Sequence, residues 1–577
     1  MSKAFLAISV VLLSSAGVSA QRPLPLKLAP RATTAAITEQ DLMTRLYIFA
    51  DDSMQGRQAG RVGNQKGNDY IARELRRLGV EPGGDNGTYF QELPSALRKF
   101  TDRSTLSVDG RALRWNTDFV ATAGNAAPRP VMNAQVIYGG TVGDSTGLIA
   151  AEAAAGKFVV LSPAPAGQGR GGGGGGRGRG GRGGGNPSLS PQVRYSGAAA
   201  IAVVDLDNLT MPSRVALNNP QLAAIDVDNQ GNVVRATSGP ASIRLTNEAA
   251  STLFSRPLQG LTPGATGGAV SARLEFVEQK TPQYTRNVIG IIRGSDPVLK
   301  GQFVAVGAHN DHVGFRGAGP IDHDSARAVA TAALARSFVG DSLIRPLPPE
   351  ERAAIRVNLD SIRRLRPARM DSINNGADDD GSGSMAMLEI AEAMARSPAK
   401  PRRSVIFVWH TAEERGLLGA AYFTANPTVP RDSIVAQINM DMIGRGRSND
   451  IPGGNDDYVG VVGSKMLSND LGDAVVAVNQ RQQRPLKLDY RFDQNVTETL
   501  GGAYNNIYGR SDHARYARYN IPIAFFFTGL HMDYHQVTDE PQYIDYPHYN
   551  RIANYLRDLV VEIANQDKRP ALIKPVS

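Results

Sequence analysis

From Arg286 onward, short and strongly apolar runs alternate with segments of helical spacing, and this pattern constrains the fold more than any other feature of the chain. The apolar runs are Val288–Ile292, Phe303–Gly307, Val405–Val408, Ile434–Ile438 and Ile521–Phe527. Short apolar runs between polar turns are typical of buried strands, and strands that alternate with helices form a sheet covered by helices. The sequence therefore predicts an α/β domain over residues 281–577.

The preceding half of the chain has a different character. The 577 residues are too many for one typical domain. Two segments, Thr44–Ala50 and Gln65–Leu78, carry apolar residues at helical spacing. Residues 104–280 then show short β-rich runs separated by Gly, Pro and Asn. We expect residues 21–103 to be an N-terminal part of the α/β domain and residues 104–280 to be a small inserted β-rich domain.

Two stretches interrupt this plan. Gly167–Gly185 is almost pure Gly and Arg, and its four arginines supply half of the net charge of +8. Because it lacks the interleaved aromatic residues of a nucleic-acid-binding tail, we interpret this Gly/Arg loop (167–185) as a flexible surface loop and expect no nucleic-acid partner. Arg316–Ile373, called the insertion below, reads as two exposed helices, Ser325–Phe338 and Pro349–Leu365, and is a candidate cap.

The N-terminus has the pattern of a secretory signal. Lys3 precedes the apolar run Ala4–Leu13, and Val18–Ala20 is a small-residue cleavage site. The apolar run is shorter than the roughly 20 residues that a membrane span needs. We therefore expect residues 1–20 to be cleaved, the mature protein to be secreted or periplasmic, and no membrane association after cleavage.

The composition limits the chemistry of any metal site. The chain has no cysteine, which excludes thiolate ligands and a thiol nucleophile, and all eight histidines lie beyond residue 308. Metal ligands must therefore be imidazoles, which lie in the second half of the chain, and carboxylates. Five polar clusters follow predicted strands, where open α/β sheets place their sites; they are His309–His312, Asp378–Asp380, Glu413–Glu414, Asp441 and Tyr534–His535.

Such a set of ligands suits zinc, and several carboxylates with two histidines suit a pair of metals that share a bridging carboxylate. The sequence contexts of these clusters agree with one family. Residues Arg286–Gly290, Val306–His312, Gly376–Gly383, Thr411–Gly419, Asn439–Gly444 and Asp533–His535 resemble the zinc-dependent exopeptidases of family M28, specifically the secreted members with an inserted protease-associated (PA) domain, as does the stretch Asp52–Arg57. The resemblance implies the zinc-exopeptidase fold, which is a mixed β-sheet flanked by helices, with a PA-like insert.

The resemblance also implies roles for individual residues. Two zinc ions per chain would be held, one by His309 and Asp441 and the other by Glu414 and His535, with Asp379 bridging them. Glu413 would be the general base that takes a proton from the attacking water and passes it to the leaving amine. Asp311 would accept the second ring N–H of His309, and Tyr534 would donate to the oxyanion.

The function implied by this resemblance is that of an exported aminopeptidase acting on peptide substrates. A carboxypeptidase of the same family would share the ligands but would need a basic pocket, which the sequence does not locate. A related glutaminyl cyclase would use one metal and part of the ligand set. A receptor-like relative with a dead site is disfavoured because the five ligand positions and Glu413 are intact.

Several histidines and acids have competing interpretations. The spacing from Asp378 to Glu389 fits an EF-hand loop, but Asn374–Gly376 would break the helix that must enter such a loop. His312, His513 and His531 lie beside proposed site residues and are either substrate contacts or structural histidines. We expect His410 either to contact a metal ligand from behind or to be packed at a strand end, and we expect His323 and His548 to be surface residues.

Overall fold

The fold is described from a computed structural model. It describes residues 24–573 except 123–127, 143–146, 164–190, 210–213, 215–216, 218–219, 224, 228–232, 236–238, 282–284, 317–318, 340–342, 345–354, 452, 492 and 494–506. The predicted signal peptide (1–20) and the Gly/Arg loop (167–185) therefore lie outside the described residues.

A nine-stranded mixed sheet, the central sheet, carries the α/β part of the chain. In spatial order its strands are Glu81–Pro82, Arg286–Ile292, Ser404–His410, Phe303–His309, Ile434–Met440, Ile523–Phe527, Tyr458–Val462 and Lys487–Asp489, while Phe90–Glu92 also pairs with Arg286–Ile292. The four strands from Ser404–His410 to Ile523–Phe527 run parallel to one another. All five predicted strands are present, and the α/β class with a mixed sheet is confirmed.

The alternation of side chains explains why these runs form central strands. In the strand Ser404–His410, Val405 and Trp409 pack into a core cluster on one face of the sheet. Ile406 and Val408 pack into a separate cluster on the other face. Both faces are therefore buried, which is why these strands read as unbroken apolar runs rather than as alternating patterns.

Helices cover both faces of the central sheet. The larger core packs against Glu39–Phe49, Val62–Arg77, Gly383–Arg396, Asn469–Gln480 and Tyr546–Asn565. The opposite face is covered by the shorter helices Leu418–Ala425 and His513–Ala517. Among the helices that the structure describes, none combines the length and the apolar character needed to cross a bilayer.

Residues 105–273 build a second sheet with its own core. Its eight strands are, in order, Arg111–Leu113, Thr105–Val108, Thr266–Arg273, Val131–Thr141, Phe158–Ser162, Ala200–Val204, Ala241–Leu245 and Phe119–Thr122. The helix Asn247–Phe254 packs on this sheet. Smaller ladders are formed by Gln221–Ala223, Ala96–Phe100 and Phe276–Lys280, and by Ile225–Val227 with Val233–Arg235. The assignment of residues 104–280 as a PA-like domain stays a prediction.

The insertion begins and ends in two short ladders. Gly314–Phe315 pairs with Ile373–Asn374, and Ile321–Asp322 pairs with Met370–Asp371. The first predicted helix is present as His323–Ser337. The second helix begins later than predicted and spans Asp360–Leu365. The side chain of Asn358 accepts the Asp360 N–H at 2.8 Å, and this turn precedes the helix. Residues 349–354 lie outside the described residues. A ladder Phe338–Val339 with Leu343–Ile344 follows the first helix.

A buried ion network joins the N-terminal helix to the central domain. The guanidinium of Arg45 contacts the carboxylates of Glu389 and Glu392, and its side chain is 1% exposed while both glutamates are 0% exposed. Glu389 is therefore committed to Arg45 on the helix Gly383–Arg396, and the EF-hand interpretation of this residue is wrong. Burial raises the pKa of Glu389 to about 7, against the opposing effect of Arg45.

We predict that Arg45→Met lowers the free energy of unfolding by about 3–5 kcal/mol at pH 8, because it leaves the buried carboxylate of Glu389 without its cation, whereas Glu392 keeps Arg77 and Arg396 as partners. The pKa of Glu389 in the folded protein lies above its ordinary value, so ionisation of this carboxyl lowers the free energy of unfolding as the pH rises through 7. The decrease caused by Arg45→Met is therefore larger at pH 8 than at pH 5. Urea unfolding at both pH values measures it.

Lys27→Met is the control, since Lys27 is 65% exposed and pairs with Asp51 at the surface. We expect this substitution to cost less than about 1 kcal/mol. Equal losses in the two variants would contradict the view that the Arg45 network links the N-terminal helix to the core.

Candidate metal centre

The polar clusters predicted from the sequence meet at one edge of the central sheet. His309 is the last residue of its strand, and Asp441 directly follows the neighbouring strand Ile434–Met440. Glu413 and Glu414 follow the strand that ends at His410. The carboxyl ends of parallel strands lie side by side, so chemistry-bearing loops from distant parts of the chain converge there.

Two groups of side chains at this edge have the arrangement of metal ligands. His309, Asp379 and Asp441 form one group; His312, Asp379, Glu414 and His535 form the other. Within each group the ligand atoms all lie within 4.8 Å of one another. Asp379 belongs to both groups, which is the position expected of a bridging carboxylate. The structure thus brings together all five residues predicted as ligands.

The distances within the groups are compatible with ligands that share a metal ion. His309 Nε2 lies 3.2 Å from Asp379 Oδ1 and 3.7 Å from Asp441 Oδ1. His535 Nε2 lies 3.0 Å from both Asp379 Oδ2 and Glu414 Oε2. With metal–ligand bonds of about 2.0–2.1 Å, two ligands of a tetrahedral zinc ion are roughly 3.3 Å apart.

His312 belongs to the second group, although the sequence did not assign it as a ligand. Its side chain is 0% exposed, and Nδ1 lies 3.0 Å from Glu414 Oε1 and 3.7 Å from Asp379 Oδ2. Within the described part of the chain, neither ring nitrogen has a hydrogen-bond partner. Its place three residues after His309 was the only sequence signal, and that spacing also fits a structural histidine.

The three consecutive aspartates Asp378–Asp380 have different roles, because only Asp379 faces both predicted histidine ligands, His309 and His535. Asp380 is fully buried, and its carboxylate accepts the backbone N–H groups of His309 at 2.9 Å, Gly383 at 2.9 Å and Met442 at 3.3 Å. Asp380 thereby connects three segments of the site. Burial, with Asp441 adding, raises the pKa of Asp380 well above its ordinary value.

Asp378 and Asp539 hold the backbone of the same loop. Asp378 Oδ1 accepts the Gly444 N–H at 2.7 Å, and His531 Nε2 lies 3.0 Å from Asp378 Oδ2. Asp539 accepts the N–H groups of Asp378 at 3.0 Å and of Asp379 at 3.1 Å. His531 is therefore a structural partner of the loop rather than a wall of the cavity described below.

Asp311 makes a different contact from the predicted one. The His309 Nδ1 atom lies 3.1 Å from the backbone carbonyl oxygen of Asp311, whereas the Asp311 carboxylate is 3.6 Å away. That carboxylate instead accepts the backbone N–H of Glu413 at 3.0 Å. Asp311 thus orients His309 through its main chain and Glu413 through its side chain.

Arg57 fixes the start of the ligand loop from the N-terminal part of the chain. Its buried guanidinium donates to the carbonyl oxygens of Asn375 at 2.6 Å and Gly376 at 2.8 Å. Gly376 has φ +59°, and a Cβ there would lie 2.3 Å from the Asp379 carbonyl oxygen and 2.5 Å from His312 Cγ. Only glycine fits between the Asp379 backbone and the His312 ring.

The carboxylates make this region strongly favourable for positive charge. Burial alone would lower the pKa of His535, but Glu414 and Asp379 raise it to about 10. Burial alone would raise the pKa of Glu414, but the neighbouring His535 outweighs this effect, and the pKa falls to about 2. Burial, with Glu414 and Asp441 adding, raises the pKa of Glu413 well above its ordinary value.

A small, partly open cavity lies beside the ligand groups. Glu413 and Tyr534 both line it, and Tyr534 stacks on His535 with ring centroids 3.9 Å apart. The remaining walls are mostly apolar, with one basic and one hydroxyl side chain; they include Met442, Ile507, Phe525, Phe527, Leu530, Arg510 and Ser511. His513 stacks on the wall residue Phe525 with centroids 4.4 Å apart and does not itself line the cavity.

The other histidines lie away from this cavity. His410 ends its strand with Nε2 3.0 Å from the Tyr516 hydroxyl, as the sequence predicts. The prediction of surface positions for His323 and His548 is wrong, because the two are 0% and 2% exposed. His323 is buried against Tyr543, and His548 is buried in the first turn of the helix Tyr546–Asn565.

Comparison with known sequences agrees with this arrangement. Residues 350–560 match the profile of Peptidase family M28. The matched region contains Asp379, Glu413, Glu414, Asp441 and His535, whereas His309 and His312 precede it.

Individual relatives cover part of the chain. Leucine aminopeptidase 1 of Ajellomyces capsulatus is 29% identical over 242 residues, which are 39% of this chain and 57% of the relative. Leupeptin-inactivating enzyme 1 of Streptomyces exfoliatus is 29% identical over 188 residues, 30% of this chain and 34% of the relative. An aminopeptidase structure from Aneurinibacillus sp. strain AM-1 covers 94% of this chain and 97% of its own at 16% identity, with a TM-score of 0.48. This chain thus spans little more than half the length of the curated relative from Ajellomyces.

We predict that Asp311→Ala lowers kcat for the hydrolysis proposed below by about 10- to 100-fold while zinc content stays at the wild-type value. The Glu413 N–H loses its acceptor, but His309 keeps the backbone carbonyl as its partner. Asp311→Asn should restore most of the activity, because an amide oxygen can accept the same N–H. Zinc loss in parallel with activity would instead mean that Asp311 acts through His309.

Proposed function

We propose that this protein is a zinc-dependent exopeptidase, an aminopeptidase that removes single residues from peptide N-termini. The observation that carries the proposal is the pair of ligand groups that share Asp379 and lie beside an apolar cavity. The names of the partly matching M28 relatives agree with this activity.

The residues of the site fit two zinc ions. One ion would be held by His309 and Asp441, the other by Glu414, His535 and His312, with Asp379 bridging. Imidazole and carboxylate ligands are the donor set that zinc prefers when no thiolate is present. Several of these buried ligand atoms, namely Asp379 Oδ2, Glu414 Oε1 and His535 Nε2, have no hydrogen-bond partner among the described residues. Bound zinc supplies a Lewis acid that polarises the scissile carbonyl and lowers the pKa of water.

Glu413 is the proposed general base. It lines the cavity while its neighbour Glu414 faces His535, so adjacent glutamates serve different partners. Its backbone is held by Asp311 and by a turn in which the Glu413 carbonyl accepts the Gly416 N–H at 2.8 Å. Glu413 takes a proton from the attacking water and delivers it to the leaving amine.

Tyr534 is the proposed oxyanion donor. Burial raises the pKa of Tyr534 well above its ordinary value, so its hydroxyl stays protonated and can donate. Arg510 Nη2 lies 3.4 Å from that hydroxyl oxygen and holds it in position. A donor fixed before the reaction stabilises developing negative charge without reorganisation.

The cavity walls support a preference for apolar N-terminal side chains. Met442, Ile507, Phe525, Phe527 and Leu530 surround the space beside Asp441 and Glu413. A leucine- or phenylalanine-sized side chain loses water contact there, which is worth about 1.5–3 kcal/mol for a large aliphatic or aromatic group.

Arg510 gives specific support to a second candidate, a carboxypeptidase. It is the basic side chain that lines the cavity, and the sequence had not located it as a carboxylate-binding group. We favour the aminopeptidase because three carboxylates, Asp379, Glu413 and Asp441, line the same cavity and disfavour a second anion there.

The proposal extends to the rest of the chain. The separate core of the second sheet supports residues 104–280 as an inserted domain, with 21–103 and 281–577 forming the peptidase domain. The sequence pattern of residues 1–20 supports export by a cleaved signal peptide.

We predict that Glu413→Gln lowers kcat by about 10²- to 10⁴-fold, because glutamine cannot accept the proton, while zinc content stays at the wild-type value. Peptide hydrolysis and metal analysis on the same purified sample measure both. Glu248→Gln, an exposed substitution on the second sheet's helix, serves as the control and should keep full activity. Undiminished hydrolysis by Glu413→Gln would remove Glu413 as the base.

Peptides with free and blocked ends separate the two candidate activities. We expect hydrolysis of Leu-Gly-Gly and of its C-terminal amide, and no hydrolysis of the N-acetylated peptide. Arg510→Met should then change KM for the free and amidated peptides equally. Cleavage of the acetylated peptide only when its C-terminal carboxylate is free, with a KM that rises in Arg510→Met, would establish the carboxypeptidase instead.

A further inference from the structure

We infer that the chain has a third metal site, outside the cluster around Asp379, where His323, Asp371 and Glu540 hold a divalent transition-metal ion such as zinc. The ligand atoms of these three side chains all lie within 4.8 Å of one another. The site would connect the insertion to the peptidase domain, and it does not depend on the proposed hydrolytic activity.

The three side chains come from separate elements that meet at the base of the insertion. His323 begins the helix His323–Ser337, and Asp371 ends the strand that pairs with Ile321–Asp322. Glu540 lies five residues after His535 and directly precedes the turn Pro541–Tyr543. An ion at this position would link both ends of the insertion to the segment that carries a proposed zinc ligand.

The distance between His323 and Asp371 suits two ligands of one ion. His323 Nδ1 lies 3.5 Å from Asp371 Oδ2, which is longer than the usual 2.7–3.2 Å of a hydrogen bond. It is close to the roughly 3.3 Å between two ligands of a tetrahedral zinc ion. The His323 side chain is 0% exposed, and among the described residues its Nδ1 atom has no hydrogen-bond partner.

Tyr543 holds the imidazole so that Nδ1 faces the carboxylates. His323 Nε2 lies 3.0 Å from the Tyr543 hydroxyl, and the two rings stack with an interplanar angle of 20°. A metal-bound histidine commonly donates its second ring N–H to an oxygen, which fixes its tautomer and orientation. Tyr543 meets this requirement for His323.

Glu540 and Asp371 bring two acidic side chains together at this position. Glu540 is 8% exposed and Asp371 is half-buried. Asn375 Nδ2 donates to Glu540 Oε1 at 3.2 Å, which leaves Oε2 for another partner. Arg369 is the nearby cation, but no ion pair within 4.0 Å joins it to either acid among the described residues. A divalent ion would compensate the charge of both carboxylates when they are ionised.

Metal counting on the purified full-length protein tests the site. We expect three zinc ions per wild-type chain after dialysis at a fixed free zinc concentration, and two in His323→Ala and in the isosteric Asp371→Asn. Asp360→Asn removes an exposed acid of the same insertion and should keep three. Glu414→Gln lowers occupancy of the Asp379 cluster and abolishes hydrolysis, but it should leave the third ion in place.

A second measurement covers variants that fail to fold. Chelator titration of the wild-type protein should release one ion without loss of hydrolysis, and trypsin should then cleave the arginine-rich stretch Arg363–Arg369 at least tenfold faster. Two zinc ions in the wild-type chain, or a count that is unchanged in His323→Ala and Asp371→Asn, would overturn the proposal. Full hydrolysis by Glu414→Gln, with the third ion still in place, would contradict the proposed function alone.

Discussion

The carboxylate of Asp380 is the interaction on which the rest of the metal centre depends. It accepts the backbone N–H groups of His309 at the end of one strand, of Gly383 at the start of a helix, and of Met442 just after another strand. A buried carboxylate is costly unless such donors surround it, so these three segments are held in the arrangement that satisfies this one side chain. The positions of His309 and Asp441 follow from it, because each lies next to or at an amide that Asp380 binds.

The site is built by separating two uses of acidic residues. Asp378, Asp380 and Asp539 satisfy backbone amides and shape the loops, whereas Asp379, Glu414 and Asp441 keep oxygens directed at imidazoles. The first set is neutralised locally by hydrogen bonds and the second requires cations. Neighbouring residues of the same type therefore have opposite roles, which depend on whether each oxygen faces an amide or an open ligand position.

Sequence reasoning predicted the parts of this structure that depend on local pattern. Apolar strands buried on both faces, such as Ser404–His410, were found because every residue of such a run is constrained. The strand Tyr458–Val462 is equally buried but was not predicted. His312 and Asp311 were misjudged for a non-local reason. Whether a histidine is a ligand, or which oxygen of an aspartate is used, depends on contacts with Glu414 and Glu413 about a hundred residues away.

The contact between Arg57 and the carbonyl oxygens of Asn375 and Gly376 joins residues that are more than three hundred positions apart. During synthesis Arg57 is made before the second sheet and the insertion, so its guanidinium cannot yet contact these two carbonyl oxygens. The first residues of the ligand loop in turn lack these hydrogen bonds until they pack against Arg57. The ligand groups therefore reach their final arrangement only after the two halves of the chain have folded against each other.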